Sequence, residues 1–117
     1  MAVIYGIPNC DTVKKARSWL TAAGVDYQFV DFKKTPPDEA LIRRWLQDIP
    51  LETLLNRRGT TWRKLSEQEQ AAAENEEGAV RLMAAHPSMI KRPVLDNGKQ
   101  CYAGFQPELY ETVLAGK

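Results

Sequence analysis

The chain of 117 residues holds only two cysteines, Cys10 and Cys101, and a single histidine, His86. Two cysteines so far apart in sequence do not make the disulfide framework of a small secreted domain, so a reducing, cytoplasmic home is expected. One histidine, with no cysteines at ligand spacing, cannot build a His-rich metal site, and no metal is expected. Long apolar runs are also missing. M-A-V-I-Y-G-I-P-N-C opens the chain without a basic region or an A-x-A site, and nowhere is there the apolar length that spans a bilayer, so neither export nor membrane insertion is expected. Charge of one sign is absent as well: sixteen Lys+Arg against fifteen Asp+Glu leave a formal net charge of +1. No whole-chain field therefore draws nucleic acid or an anionic membrane, and any anion preference has to be local.

No repeat or low-complexity segment interrupts the chain, whose length suits one domain, 1–117, with a real core. Ala2 to Tyr5 is a short apolar, β-branched run ended by Gly6-Ile7-Pro8, which reads as a buried strand feeding a loop. From Asp11 the apolar residues Val13, Ala16, Leu20 and Ala23 recur at helical spacing, with Asn9 as candidate cap and Gly24 as the stop. Tyr27 to Phe32 follows as a strand, and strand, helix, strand at this spacing is a βαβ unit with parallel pairing.

Beyond Lys33-Lys34-Thr35-Pro36-Pro37, Asp38 caps A-L-I-R-R-W-L. Further helical patterns lie around L-E-T-L-L-N, T-T-W-R-K-L and E-G-A-V-R-L-M-A-A-H, making a helical insertion over about 36–88. Pro93 to Asp96 and Gln100 to Ala103 read as strands around an Asn97-Gly98 hairpin turn. Pro107 then starts a helix with Leu109, Tyr110, Val113 and Leu114 inward. The order is βαβ, helical insertion, ββα: an α/β chain with the element order of a thioredoxin-like fold.

Cys10 stands where the first strand becomes a helix, among unsatisfied backbone N–H groups at the positive end of the helix dipole. Such places lower a cysteine pKa from about 8.5 into the range of roughly 3.5 to 7.5. Asp11 competes for the same field, so a milder shift is expected. The alternative, a small buried hydrophobe, fits a loop between Pro8 and Asp11 poorly, and Cys10 is read as reactive. Val13 occupies the second position of a C-x-x-C pair, so the chemistry is monothiol unless a distant cysteine or an outside thiol resolves it. Cys101, mid-strand, reads as core filler, with a resolving role as the lesser reading.

Arg92-Pro93 precedes the third strand at a place compatible with a tight or cis turn. In a thioredoxin-like order this loop lies beside the start of the first helix, which gives Arg92 an anion-facing position. Arg57-Arg58 follows L-E-T-L-L-N at an expected helix end, where cations serve either a site or the helix dipole. His86 reads as structural.

The segments Gly6-Ile7-Pro8-Asn9-Cys10-Asp11-Thr12, "LETLLNRRGTTW" and "LMAAHPSMIKRPVL" together resemble the ArsC/Spx arsenate-reductase-like family, in its YffB branch. The resemblance implies a thioredoxin-like fold with a helical insertion, a nucleophilic Cys10, and Arg92 before a cis-Pro93. Where arsenate reductases carry an oxyanion-binding arginine this chain has Asn56, with Arg57 and Arg58 one and two positions later. It has Gly6 where they place a histidine, and no arginine in Ala103 to Pro107.

The resulting expectation is a glutathione-dependent monothiol reductase acting on small-molecule or protein disulfides, with glutathione as co-substrate and no bound cofactor. Cys10 would be the nucleophile, and Asn9, Asp11, Thr12, Arg57, Arg58, Arg92 and Pro93 would bind substrate, glutathione or an anion. In particular Arg92 would pair with a glutathione carboxylate, and the Pro93 edge would offer backbone groups to a bound peptide. The alternatives are an arsenate-reductase-like oxyanion reductase and an Spx-like non-catalytic binding module. A monomer is the working expectation.

Overall fold

The computed structural model describes residues 2–114. In chain order the elements are β1 (Ala2–Gly6), α1 (Asp11–Ala22), β2 (Tyr27–Asp31), α2 (Glu39–Leu46), α3 (Leu51–Leu54), α4 (Thr60–Arg63), α5 (Glu67–Ala72), α6 (Glu76–Ala85), a 3-10 turn (Pro87–Met89), β3 (Val94–Asp96), β4 (Cys101–Ala103) and α7 (Pro107–Leu114). They form two compact units, residues 2–35 with 92–114 and the helical Pro36–Lys91.

The first unit is built on a sheet ordered β2-β1-β3-β4. β1 and β2 run parallel with Ile4 opposite Phe29, which requires the α1 crossover between them. β3 runs antiparallel to β1 with Leu95 opposite Ile4, and β4 antiparallel to β3 with Tyr102 opposite Leu95. Strand alternation puts Ala2, Ile4 and Leu95 on one face. There they pack with Ala16 and Leu20 of α1 and Tyr110 and Leu114 of α7, and with half-buried Trp19 and Phe105 beside them. Both helices thus cover the same face, completing the thioredoxin-like arrangement.

Helix α1 begins at Asp11 and stops at glycine: Gly24, at φ +72°, donates to the Thr21 carbonyl and Val25 to the Leu20 carbonyl, the paired bonds of a left-handed helix end. Ala23, expected inward, is exposed, because the chain is already turning away at the cap. In α7, Tyr110 and Leu114 are buried as expected, while Leu109 and Val113 are only half-buried.

The expected hairpin forms around Asn97-Gly98, with a loop one residue longer at its far end. Asp96 and Cys101 close a loop of Asn97 to Gln100, with Gly98 at φ +95°. Asn97 Oδ1 accepts from the N–H groups of Lys99 and Gln100 at 2.9 and 2.8 Å, and its Nδ2 donates to the Val113 carbonyl at 3.0 Å. One buried amide therefore shapes the loop and ties it to α7, and β4 begins one residue later than expected.

In the helical unit, Asp38 caps α2 by accepting from the Leu41 N–H at 2.8 Å, and Ile42 and Trp45 are buried. α6 buries Ala79, Val80 and Met83 and packs against α2. α5 was not expected, since E-Q-E-Q-A-A has no apolar stripe. Its signal was the capping box: Ser66 and Glu69 exchange side-chain-to-backbone hydrogen bonds, both at 3.1 Å. Among the described residues no helix is long and apolar enough to cross a membrane.

Candidate functional site

Cys10 is itself the N-cap of α1, with extended backbone (φ −91°, ψ 126°) and its carbonyl accepting from the Lys14 N–H at 2.9 Å. Asn9, the expected cap, lies one residue earlier and is exposed, and no side-chain oxygen caps this helix. The orphan N–H groups of the first turn are therefore left for the sulfur. Burial pushes the Cys10 thiol up. Against it act a hydrogen bond from the Val13 N–H, one from the Arg92 guanidinium, one from the Thr12 N–H and the Arg92 charge, and together they hold the thiol below its ordinary value. Asp11, expected to weigh against the thiolate, is exposed and is not among the groups that set this balance.

The structure brings Arg92 to the thiol, with its guanidinium hydrogen-bonded to the Cys10 sulfur. The Arg92-Pro93 peptide bond is cis. Pro93 is buried, and its carbonyl accepts from the Gly104 N–H at 2.8 Å. Gly104, at φ +88°, accepts in turn from the fully buried Tyr110 hydroxyl at 3.0 Å. The Tyr110 ring is fixed edge-on by Phe105 and Trp19, at centroid distances of 4.9 and 5.8 Å. Burial raises the Tyr110 pKa far above the usual phenol range, so it stays a neutral donor. The loop carrying Arg92 is thereby tethered to α7.

Two further residues shape this site. A Cβ added at Gly6 would lie 2.7 Å from Val13 Cγ2, closer than real carbon atoms approach, so Gly6 has no room for a side chain. Val13 is completely buried, and its N–H donates to the Cys10 thiol. The sequence marks Gly6 only as a breaker and as the place of a missing histidine, and Val13 as a helix core position and a missing second cysteine; neither marks a role beside the thiol. Gly104 and Tyr110 carried no local signal of their role.

Arg57 and Arg58 belong to the helical unit, where both are exposed. They were expected at a helix end, but α3 stops at Leu54 and they lie in the bend leading into α4, so the helix-dipole reading does not apply. Asn56 Oδ1 accepts from the Arg58 N–H at 2.9 Å, and the Arg57 guanidinium lies 5.4 Å from the Trp62 ring centre. Asn56, Arg57, Arg58 and Lys91 line one open pocket of that unit. His86 ends α6, with its N–H on the Leu82 carbonyl at 2.8 Å. Cys101 is buried at the first position of β4, opposite Asp96, on the sheet face away from Ile4 and Leu95. Among the described residues no group of three His, Cys, Asp or Glu side chains could hold a metal.

Sheet order and a cysteine capping the first helix define a thioredoxin-like domain with a monothiol position. A profile of the ArsC family matches residues 5–113, and the chain belongs to that family. The solved structure of a YffB protein is 48% identical, covers 98% of this chain and 100% of its own, and superposes with a TM-score of 0.93. An arsenate reductase (ArsC) related protein from Brucella melitensis is 49% identical over 95% of this chain and 92% of its own, with a TM-score of 0.73. The global transcriptional regulator Spx of Streptococcus pyogenes serotype M6 is 26% identical over 92% of this chain and 81% of its own.

Proposed function

We propose that this chain is a glutathione-dependent monothiol reductase of disulfides and mixed disulfides. The observation that carries the reading is the Cys10 thiol, lowered against its own burial by the Val13 and Thr12 N–H groups and by Arg92. A thiolate, not a thiol, is the attacking species in disulfide exchange. The arsenate reductase related neighbour supports thiol-based redox chemistry in general.

In the first step the Cys10 thiolate attacks the glutathionyl sulfur of a mixed disulfide. The S–S bond breaks, and the substrate leaves as a thiolate that takes a proton from water. In the second step a glutathione thiolate attacks the same sulfur of the Cys10–glutathione disulfide, and oxidised glutathione leaves with Cys10 restored as thiolate. The sum converts one mixed disulfide and one glutathione into one free thiol and one oxidised glutathione, with no second protein cysteine. Through both steps Arg92 and the helix amides stabilise Cys10 as the attacking and then as the leaving sulfur.

The test is turnover of a glutathione mixed disulfide with reduced glutathione. Cys10→Ser should abolish it. Arg92→Ala should lower it by roughly tenfold, the worth of one charge-assisted hydrogen bond. The wild type failing on this substrate but reducing arsenate would move the assignment to an oxyanion reductase, the reading that the Brucella neighbour favours. Failure on both would leave a binding module of the kind its similarity to Spx suggests.

A further inference from the structure

Lys14, Arg17, Ser18 and Thr21 recur at helical spacing along one face of α1, and with Ala22 and Tyr27 of β2 they line an open pocket of the first unit. Within it Arg17 is already held in place. Its guanidinium lies 4.1 Å from the centre of the Phe29 ring, and its Nε donates to the Tyr27 hydroxyl at 3.4 Å. The plane and the Nε of the guanidinium are thus committed to the fold. Among the described residues no carboxylate forms an ion pair with Arg17 or Lys14. The two Nη groups therefore remain as a fixed, planar fork, the geometry that matches two oxygens of a tetrahedral anion, with the Lys14 ammonium beside it as a mobile second charge. Ser18 supplies a hydroxyl, while the Lys and Arg stems and the Ala22 methyl make apolar walls.

We propose that this pocket binds a small phosphate monoester, its phosphoryl group on Arg17 and Lys14 and its organic body along the apolar walls. Mixed lining argues for an ester over inorganic phosphate, because only an ester uses both kinds of surface. Tyr27 offers a built-in reporter. Burial pushes its phenol up, but the hydrogen bonds from Arg17 and Thr21 and the Arg17 charge bring it below the ordinary value. An anion bound on Arg17 offsets that charge, so the Tyr27 pKa should rise on binding.

Phenyl phosphate is the probe, titrated into the full chain while backbone amide NMR shifts and the Tyr27 ultraviolet titration are followed. Saturable shifts along α1 and at Tyr27, with inorganic phosphate and phenol each binding at least about tenfold more weakly, are expected. Arg17→Ala should weaken phenyl phosphate by roughly tenfold. Arg17→Lys should restore little of that, since the charge returns without the fork. Lys14→Ala alters only an exposed side chain and keeps the test valid if Arg17→Ala unfolds; it should weaken binding severalfold. Unsaturable shifts, or equal affinities in wild type, Arg17→Lys and Lys14→Ala, would overturn the proposal. Arg17 lies outside the thiol chemistry, so mixed-disulfide turnover measured on the same variants separates failure of this site from failure of the reductase assignment.

Discussion

Replacing Gly6 by alanine adds one methyl group beneath the first turn of α1, and the structure locates the collision. The new Cβ falls 2.7 Å from Val13 Cγ2, where ordinary carbon contacts begin near 3.4 Å. Gly6 does not adopt positive φ, so alanine is not strained in the backbone, and the penalty is one of space. Val13 has stiff χ1 and is completely buried, so it cannot swing aside, and the helix turn itself has to shift. Overpacking of this kind costs about 1–3 kcal/mol. Val13→Ala alone removes two buried methyl groups and costs ~2 kcal/mol. The double variant Gly6→Ala/Val13→Ala should be more stable than the sum of the single effects predicts, by ~1–2 kcal/mol, since the new methyl occupies space that the valine has left.

The same shift moves the Val13 N–H away from the Cys10 sulfur. A hydrogen bond to a charged group is worth about 1.5–3 kcal/mol when fully made, and solvent screening at the half-exposed sulfur reduces that by at least half. Gly6→Ala should therefore raise the Cys10 pKa, and the double variant should recover most of that rise. The assay pairs urea midpoints for all four proteins with the pH dependence of Cys10 alkylation by iodoacetamide, using Cys101→Ala as background. Additive stabilities together with an unmoved Cys10 pKa in Gly6→Ala would refute the packing account of the thiolate.

The remaining expectations can be measured on the same material. Because the folded Cys10 pKa lies below the unfolded one, the thiolate contributes stability that is fully present above the ordinary thiol value and is lost as pH falls through the folded value. Wild type should therefore gain on Cys10→Ser as pH rises across that window, and parallel stability-pH curves would count against it. Tyr110→Phe removes the donor to the buried Gly104 carbonyl and should cost about 1–3 kcal/mol. It should also speed hydrogen exchange at the Gly104 amide that holds Pro93, and unchanged exchange there would show that Tyr110 does not support the Arg92 loop.

Where a signal in this sequence is local, the structure follows it closely. α1 starts and stops at Asp11 and Gly24 because a helix end is decided by a few neighbouring residues. β1 and β2 fall where β-branched and aromatic residues alternate. The thiol's place between strand and helix was legible for the same reason. The hairpin forms around Asn97-Gly98 as expected, but its loop extends to Gln100. What decides the loop is the Asn97 amide reaching the Val113 carbonyl, a partner sixteen residues away. α5 escaped because it is held by its Ser66 and Glu69 caps and has no buried residue, so a search for apolar periodicity passes over it.

The candidate site divides along the same line. Cys10 and Arg92 could be paired from element order, since the topology alone brings the β3 entry beside the α1 start. What sets the thiol is less visible: Val13 acts through its backbone, and Gly6 acts through having no side chain at all. By its resemblance to arsenate reductases this chain is expected to lack a histidine at Gly6, and any side chain at that position would collide with Val13. That departure from the family pattern is therefore coupled to the packing of α1. Grafting a histidine at position 6 would have to displace Val13, and with it one of the hydrogen bonds that lower the Cys10 pKa.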